Sequence, residues 1–176
     1  MKIELKKTSQ FEELESIRGL YCEAFPPEER REFDDLNQLV LKGECIINQI
    51  KTTDDKVAGI CVYWIFDEFV YVEHFAVFPE LRGRGIGEGT LSVLREKFKV
   101  LILETEPPIN EISQRRIKFY QRNGFHLLNL HYIQPSYGKN KPKVELKLMC
   151  TNSHIPQEML NNYIIQIKEK VYSQIS

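Results

Sequence analysis

Between Glu73 and Gly89 the chain reads EHFAVFPELRGRGIGEG, an extended apolar run that ends at Pro79 and is followed by a turn rich in arginine and glycine. Arg82 and Arg84 supply positive charge, while Gly83, Gly85 and Gly87 allow backbone conformations and close approaches that a side chain would block. A helix is predicted over 85–98, and the uncapped amides of a helix start attract phosphate. A strand-to-helix loop of this composition is a candidate cradle for a pyrophosphate.

Two familiar phosphate-binding patterns do not fit. No GxxxxGK(S/T) is present, so this is not the loop of a nucleotide hydrolase, and the arginines together with the lack of a suitably placed ribose-binding acid argue against a dinucleotide fingerprint. Arg82-Gly83-Arg84-Gly85-Ile86-Gly87 instead resembles the acyl-CoA-binding motif Q/R-x-x-G-x-G/A of the GNAT superfamily of N-acetyltransferases. A second marker lies downstream. Tyr120-Gln121-Arg122-Asn123-Gly124-Phe125 is similar to the superfamily's helix ending in Y-E/Q-x-x-G-F, and the order and separation of the two markers agree with it. The resemblance covers about residues 2–150 as a fold order and is sharpest over 69–126.

The resemblance implies acetyl-CoA held where two neighbouring parallel strands part. The backbone of Phe75, Ala76 and Val77 would face the pantetheine, and Arg82, Gly83, Arg84, Gly85, Ile86 and Gly87 would form the pyrophosphate loop. It implies transfer of acetyl to a primary amine, on a small molecule or a peptide, by direct attack in a ternary complex. The attacking nitrogen must be neutral and the departing thiolate must gain a proton. Glu73 corresponds to an acidic position that some relatives use as base, and Tyr120 matches the tyrosine beside the departing sulfur. His74 should point away from Glu73 in a regular strand, an assignment that a bulge would change. The family's frequent asparagine is replaced by Ser113, so Ser113 either caps a helix or touches pantetheine, and Asn110 takes a displaced polar role. Glu73, His74, Glu104 and Glu106 are candidates for receiving a cationic acceptor, with Tyr137 bordering its pocket.

The elements that would position these groups follow from hydrophobic periodicity. Strands are predicted over 2–7, 44–51, 57–65, 69–78, 100–103, 125–132 and 144–150. Helices are predicted over 10–23, with Ser9 as cap and Glu12 as its capping-box partner, and over 27–42, 85–98, 111–122 and 156–172. The Glu28-Glu29-Arg30-Arg31 run reads as a charged solvent face that could alternatively meet a substrate. Gly43 suits a helix stop and Gly124 a left-handed terminator, and 135–143 reads as a basic loop. A helix between strands near 69–78 and 100–103 makes those two parallel. The expected fold is α/β of the α+β kind, a mixed, mostly antiparallel central sheet flanked by helices. Residues 1–150 form the acyltransferase domain, and 151–176 form a helical extension packed on that domain or at a subunit contact.

Composition narrows the remaining possibilities. The 176 residues carry a net charge of -1, which gives no global case for nucleic acid. No initial apolar segment resembles a secretion signal and no run is long enough to span a bilayer, so a cytoplasmic location and no membrane partner are expected. Cys22, Cys45, Cys61 and Cys150 are dispersed, and no coherent metal-ligand cluster is present, so no metal is expected. Two rival readings are a non-catalytic acyl-CoA-binding or sensing domain and a structural protein that assembles, for instance as a homodimer, through 156–172.

Overall fold

The computed structural model describes residues 2–8 and 10–173. In chain order the elements are β1 (Glu4–Thr8), α1 (Phe11–Ala24), a 3-10 turn (Pro27–Glu29), α2 (Phe33–Leu41), β2 (Ile46–Lys51), β3 (Val57–Ile65) and β4 (Val70–Val77). There follow a second 3-10 turn (Pro79–Leu81), α3 (Ile86–Lys97), β5 (Leu101–Thr105), α4 (Glu111–Arg122), β6 (His126–Leu127), β7 (Tyr132–Gln134), β8 (Val144–Cys150) and α5 (Gln157–Ile167), which runs into a π-helical turn (Lys168–Tyr172). The expected Ser9 cap of α1 lies outside the described residues, and Gln10 occupies the cap position without a side-chain bond.

The sheet runs β1-β2-β3-β4-β5-β8-β6, with β7 also paired to β8. Among the described residues only β4 and β5 pair in parallel, as the crossover through α3 requires. Alternation along the strands sorts the core into two clusters. One buries Leu14, Ile17, Leu36 and Leu39 of α1 and α2 together with Tyr163, Ile167 and Val171 from the C-terminal segment, and the other buries Leu91 and Leu94 of α3 and Ile117 of α4. The mixed, mostly antiparallel sheet is therefore covered by α1, α2 and α5 on one face and by α3 and α4 on the other.

Two expected elements differ in detail. Residues 27–42 do not form one helix, because Arg30 and Glu32 take extended backbone and Arg31 between them turns inward, 2% exposed. The expected strand 125–132 is broken: β6 follows one end of β8 (His126↔Cys150), and β7 follows the other (Tyr132↔Leu146). The left-handed positions behave as expected, with φ of 75° at Gly43 and 82° at Gly124.

The parallel pairing of β4 with β5 covers only Val70, Val72 and the residue between them. In the antiparallel ladder on the other side, Val62 faces His74 but Tyr63 faces Val72, so Glu73 is an extra residue in β4. Such a bulge bends its strand and increases the local twist, which carries the end of β4 away from β5. Below the bulge, β3 and β4 are pressed together at Gly59, where an added Cβ would lie 2.2 Å from the Ala76 carbonyl oxygen. Gly59→Ala should therefore destabilise the protein by about 1–3 kcal/mol, the usual cost of overpacking. Urea denaturation measures it, and an unchanged midpoint would contradict the tight approach.

Candidate active site

A cleft of about 740 Å³ opens where β4 and β5 part. Its walls include the β4 segment from Val72 to Val77, the end of β5 from Leu103 to Glu106, the start of α3, and Tyr120, Phe119 and Arg116 of α4. Phe25, Pro26 and Glu29 close it from the α1–α2 connection.

The arginine-glycine loop forms one end. Gly83 and Gly85 have φ of 76° and 77°, the left-handed region that favours glycine. The first amide bond of α3 runs from Gly89 to the Gly85 carbonyl at 2.9 Å, which leaves the amides of Ile86, Gly87 and Glu88 without partners among the described residues. Arg82, Gly83, Gly85, Ile86 and Gly87 line the cleft. Arg84 does not; it bonds the Glu80 carbonyl at 3.2 Å, while Arg82 bonds that of Val77 at 3.1 Å. Thr105, 3% exposed and also lining the cleft, has a hydroxyl with no partner among the described residues. Free amides, nearby positive charge and an orphaned hydroxyl beside the parted strands suit a phosphorylated, amide-bearing carrier such as acyl-CoA.

Asn110 and Ser113 do not join this wall. Asn110 is the N-cap of α4: its side chain accepts from the Ser113 amide at 2.9 Å and its own amide donates to Ser113 Oγ at 3.2 Å. This reciprocal capping box is the capping alternative expected for Ser113, it occupies both side chains, and neither residue lines the cleft.

The bulge decides the orientation of Glu73 and His74. In a regular strand they would face opposite sides, yet both lie against the α1, α2 and α5 face. The Glu73 carboxylate accepts from Trp64 Nε1 at 2.6 Å, Tyr137 Oη at 2.9 Å and Arg31 Nε at 3.2 Å, and its side chain is 0% exposed. Burial opposes its ionisation, but the Arg31 charge, followed by His74 and the Trp64 and Tyr137 hydrogen bonds, holds it below the usual carboxylate range. A carboxylate so paired is a poor proton acceptor, which weighs against the expected role of Glu73 as the base. Tyr137, expected to border the acceptor pocket, is 4% exposed, anchors Glu73 beneath the cleft and does not line it.

His74 does line the cleft, packed on Phe25 with ring centroids 4.4 Å apart, edge-on to Tyr21 and near Tyr137. Burial pushes its pKa down to about 4, an effect that Arg31 and Arg30 reinforce and Glu73 opposes. Tyr120, 8% exposed on the opposite face of the sheet, has its phenol pushed up to about 12 by burial, and Arg116 pulls the other way. It is protonated at neutral pH and its hydroxyl has no hydrogen-bond partner among the described residues.

Glu104 and Glu106 reach the cleft in different states. Glu106 is ion-paired with Arg116. Glu104 accepts from Tyr132, from Gln134 Nε2 at 2.6 Å and from Tyr172 at 2.9 Å. Glu29 belongs to the run that the sequence offers as meeting a substrate only as the alternative to a charged solvent face. Half-buried on the cleft wall, it has no ion-pair partner among the described residues, and burial followed by the charge of Glu106 raises its pKa. Its setting within a Glu-Glu-Arg-Arg run looks like solvated surface, and no local signal separates it from Glu28.

A family model described as "Acetyltransferase (GNAT) family" matches residues 14–125. A Bacteroides thetaiotaomicron protein whose name places it among GNAT acetyltransferases is 36% identical, and its structure covers 98% of both chains with a TM-score of 0.88. The Bacillus subtilis (strain 168) protein YjbC, also named an acetyltransferase, is 28% identical over 142 residues, 78% of this chain and 72% of its own. The structure of spermidine N-acetyltransferase from Vibrio cholerae in complex with CoA and spermine shares the fold at 14% identity, with a TM-score of 0.62 over 85% of this chain and 94% of that one.

The buried, neutral His74 makes stability depend on pH with a definite sign. Its folded pKa of about 4 lies below the ordinary 6.5, so the unfolded chain binds the proton more readily. The stabilisation from a neutral His74 is present above pH 6.5 and is lost as pH falls towards 4, on the order of 3 kcal/mol in all. Urea denaturation across this range should show the fall in the wild type and a smaller one in His74→Gln; parallel curves would refute it.

Proposed function

The chain belongs to the GNAT acetyltransferase family, and from that premise we propose that it transfers acetyl from acetyl-CoA to a primary amine by direct attack in a ternary complex. The observation that carries the reading is the convergence on one cleft of unpartnered α3 amides, parted strands and a protonated phenol at Tyr120. The amides of Ile86, Gly87 and Glu88 and the charge of Arg82 hold the pyrophosphate, and the freed edge of β4 at Phe75, Ala76 and Val77 takes the pantetheine amides.

The amine nitrogen bonds to the thioester carbonyl carbon as the carbon–sulfur bond breaks. Tyr120 donates its proton to the departing sulfur, a role suited to a phenol that stays protonated at neutral pH. The proton lost by the amine passes to Glu29, directly or through water: Glu29 lines the cleft, burial raises its pKa, and its carboxylate accepts no hydrogen bond among the described residues, whereas Glu104, also raised by burial, is occupied by Tyr132, Gln134 and Tyr172. Glu73 serves as a fixed anion beneath the floor. A covalent route through Cys61 lacks support, since that thiol is 0% exposed, does not line the cleft and is pushed up to about 12 by burial.

An acetyl-CoA-dependent screen with mass detection of the modified acceptor tests the activity. With an acceptor in hand, Tyr120→Phe should lower kcat about 100-fold while leaving KM for acetyl-CoA nearly unchanged. Unchanged kcat where chemistry limits the rate would remove the acid role. Glu29→Gln should abolish the acidic limb of the kcat/KM profile, a limb that lies above the range of an ordinary carboxylate because the Glu29 pKa is raised. A persisting limb would transfer the base role to another group.

A further inference from the structure

We propose that Glu104 and Gln134 form a subsite for a second, non-reacting cationic nitrogen of the acceptor, so that the preferred substrates are diamines or longer polyamines. The inference rests on the amine-acetylation reading above and names the substrate class within it.

The two carboxylates on the α1, α2 and α5 face are treated differently by the fold. Glu73 has Arg31 at 3.2 Å. Glu104 has no Lys, Arg or His nitrogen within ion-pair distance among the described residues; burial raises its pKa, and the neutral groups of Tyr132, Gln134, Tyr172 and Tyr71 oppose that rise without supplying a charge. A half-buried carboxylate that lines a cleft and lacks a cation is a site for one, since an ammonium beside it would favour the ionised form that burial opposes.

Gln134 supplies a second, independent observation. It is 4% exposed and lines the cleft, and its Nε2 must face Glu104 because a carboxylate accepts hydrogen bonds and does not donate them. With Nε2 on Glu104, Oε1 is left buried with no donor among the described residues. Glu104 and Gln134 Oε1 thus offer negative charge and an unused acceptor on one wall, which an ammonium group with several N–H donors satisfies together.

That nitrogen cannot be the one acetylated. Pairing with a buried carboxylate favours the charged form of an ammonium, and a protonated nitrogen has no lone pair for attack. The reacting amine must be another nitrogen of the same molecule, lodged towards Tyr120 and Glu29.

Putrescine and n-butylamine share a four-carbon chain and differ by the second nitrogen, so their kcat/KM values test the idea. The wild type should favour putrescine about tenfold or more, and Glu104→Gln should reduce that preference to about threefold or less with KM for acetyl-CoA unchanged. Gln134→Leu should give a partial loss, with thermal melting confirming that both variants fold. Absence of a preference in the wild type, or its survival in a folded Glu104→Gln, would overturn the proposal. Calorimetric titration of putrescine into the protein with and without CoA separates the two readings: no putrescine binding at millimolar concentration sinks the subsite even if CoA binds. Failure of CoA to bind sinks the transferase reading, while the putrescine titration still decides the subsite.

Discussion

The buried ion pair between Arg31 and Glu73 is the constraint on which the rest of the site depends. Arg31 is 2% and the Glu73 side chain 0% exposed, so both ions have given up nearly all their hydration, a penalty of several kcal/mol each. A single contact at 3.2 Å does not offset that, and the fold adds further partners. Trp64 and Tyr137 donate to Glu73, Arg31 donates to the Val171 carbonyl, and the guanidinium lies over the rings of Trp64 and Tyr137 at 5.6 and 5.1 Å. The partners come from the α1–α2 connection, β3, β4, the 135–143 loop and the C-terminal segment, so a charge buried at one point ties together five distant parts of the chain. Removing either ion alone would leave the other buried and unpaired, which is far more damaging than replacing both.

The same pair accounts for the shape of the cleft. Glu73 can be the extra residue of a bulge because its side chain is held from below, and the bulge bends β4 at the point where its pairing with β5 ends. One side of the opening then meets the start of α3 and Tyr120, and the other meets His74, Glu29 and Glu104. The sheet thus separates a face suited to an anionic carrier from one suited to a cationic acceptor. The two reactants can meet only through the gap.

Local chemistry was legible in the sequence, and long-range pairing was not. The α3 loop, the α4 helix and the left-handed glycines follow from residues within a turn or two of one another, and their boundaries agree with the structure to within about a residue. Asn110 and Ser113 were visible as polar residues at the right place, but the capping geometry that occupies them needs the backbone of the helix start. Arg31 could not be separated from its charged neighbours, because what buries it is a carboxylate 42 positions away. A glutamate inside the apolar strand VYVEHFAV was itself a signal that a buried cation or several donors must exist, though not which ones. Likewise, the break in the expected strand 125–132 arises from the two separate stretches of β8 that its halves follow.

The C-terminal segment is coupled to the chemistry through hydroxyl groups. The Tyr172 hydroxyl bonds the Glu104 carboxylate and lies 3.0 Å from the Tyr71 hydroxyl. A chain of hydroxyl contacts thus links β4, the C-terminal turn and β5, beside the Val171 carbonyl that receives Arg31. Leu160, Tyr163, Ile167 and Val171 are buried, and Tyr163 stacks on Phe69 at 4.2 Å, so the segment is held by apolar packing before its polar groups act. That order matters energetically. Hydroxyls can stabilise an uncompensated carboxylate only if their positions are already fixed, since donors that must be ordered at the same time would lose much of their contribution to side-chain entropy. Residues 157–172 thus supply the rigid frame whose hydroxyl offsets part of the burial that raises the Glu104 pKa and whose carbonyl receives Arg31, and this side of the cleft is built as much by the C-terminal segment as by the motif-bearing centre.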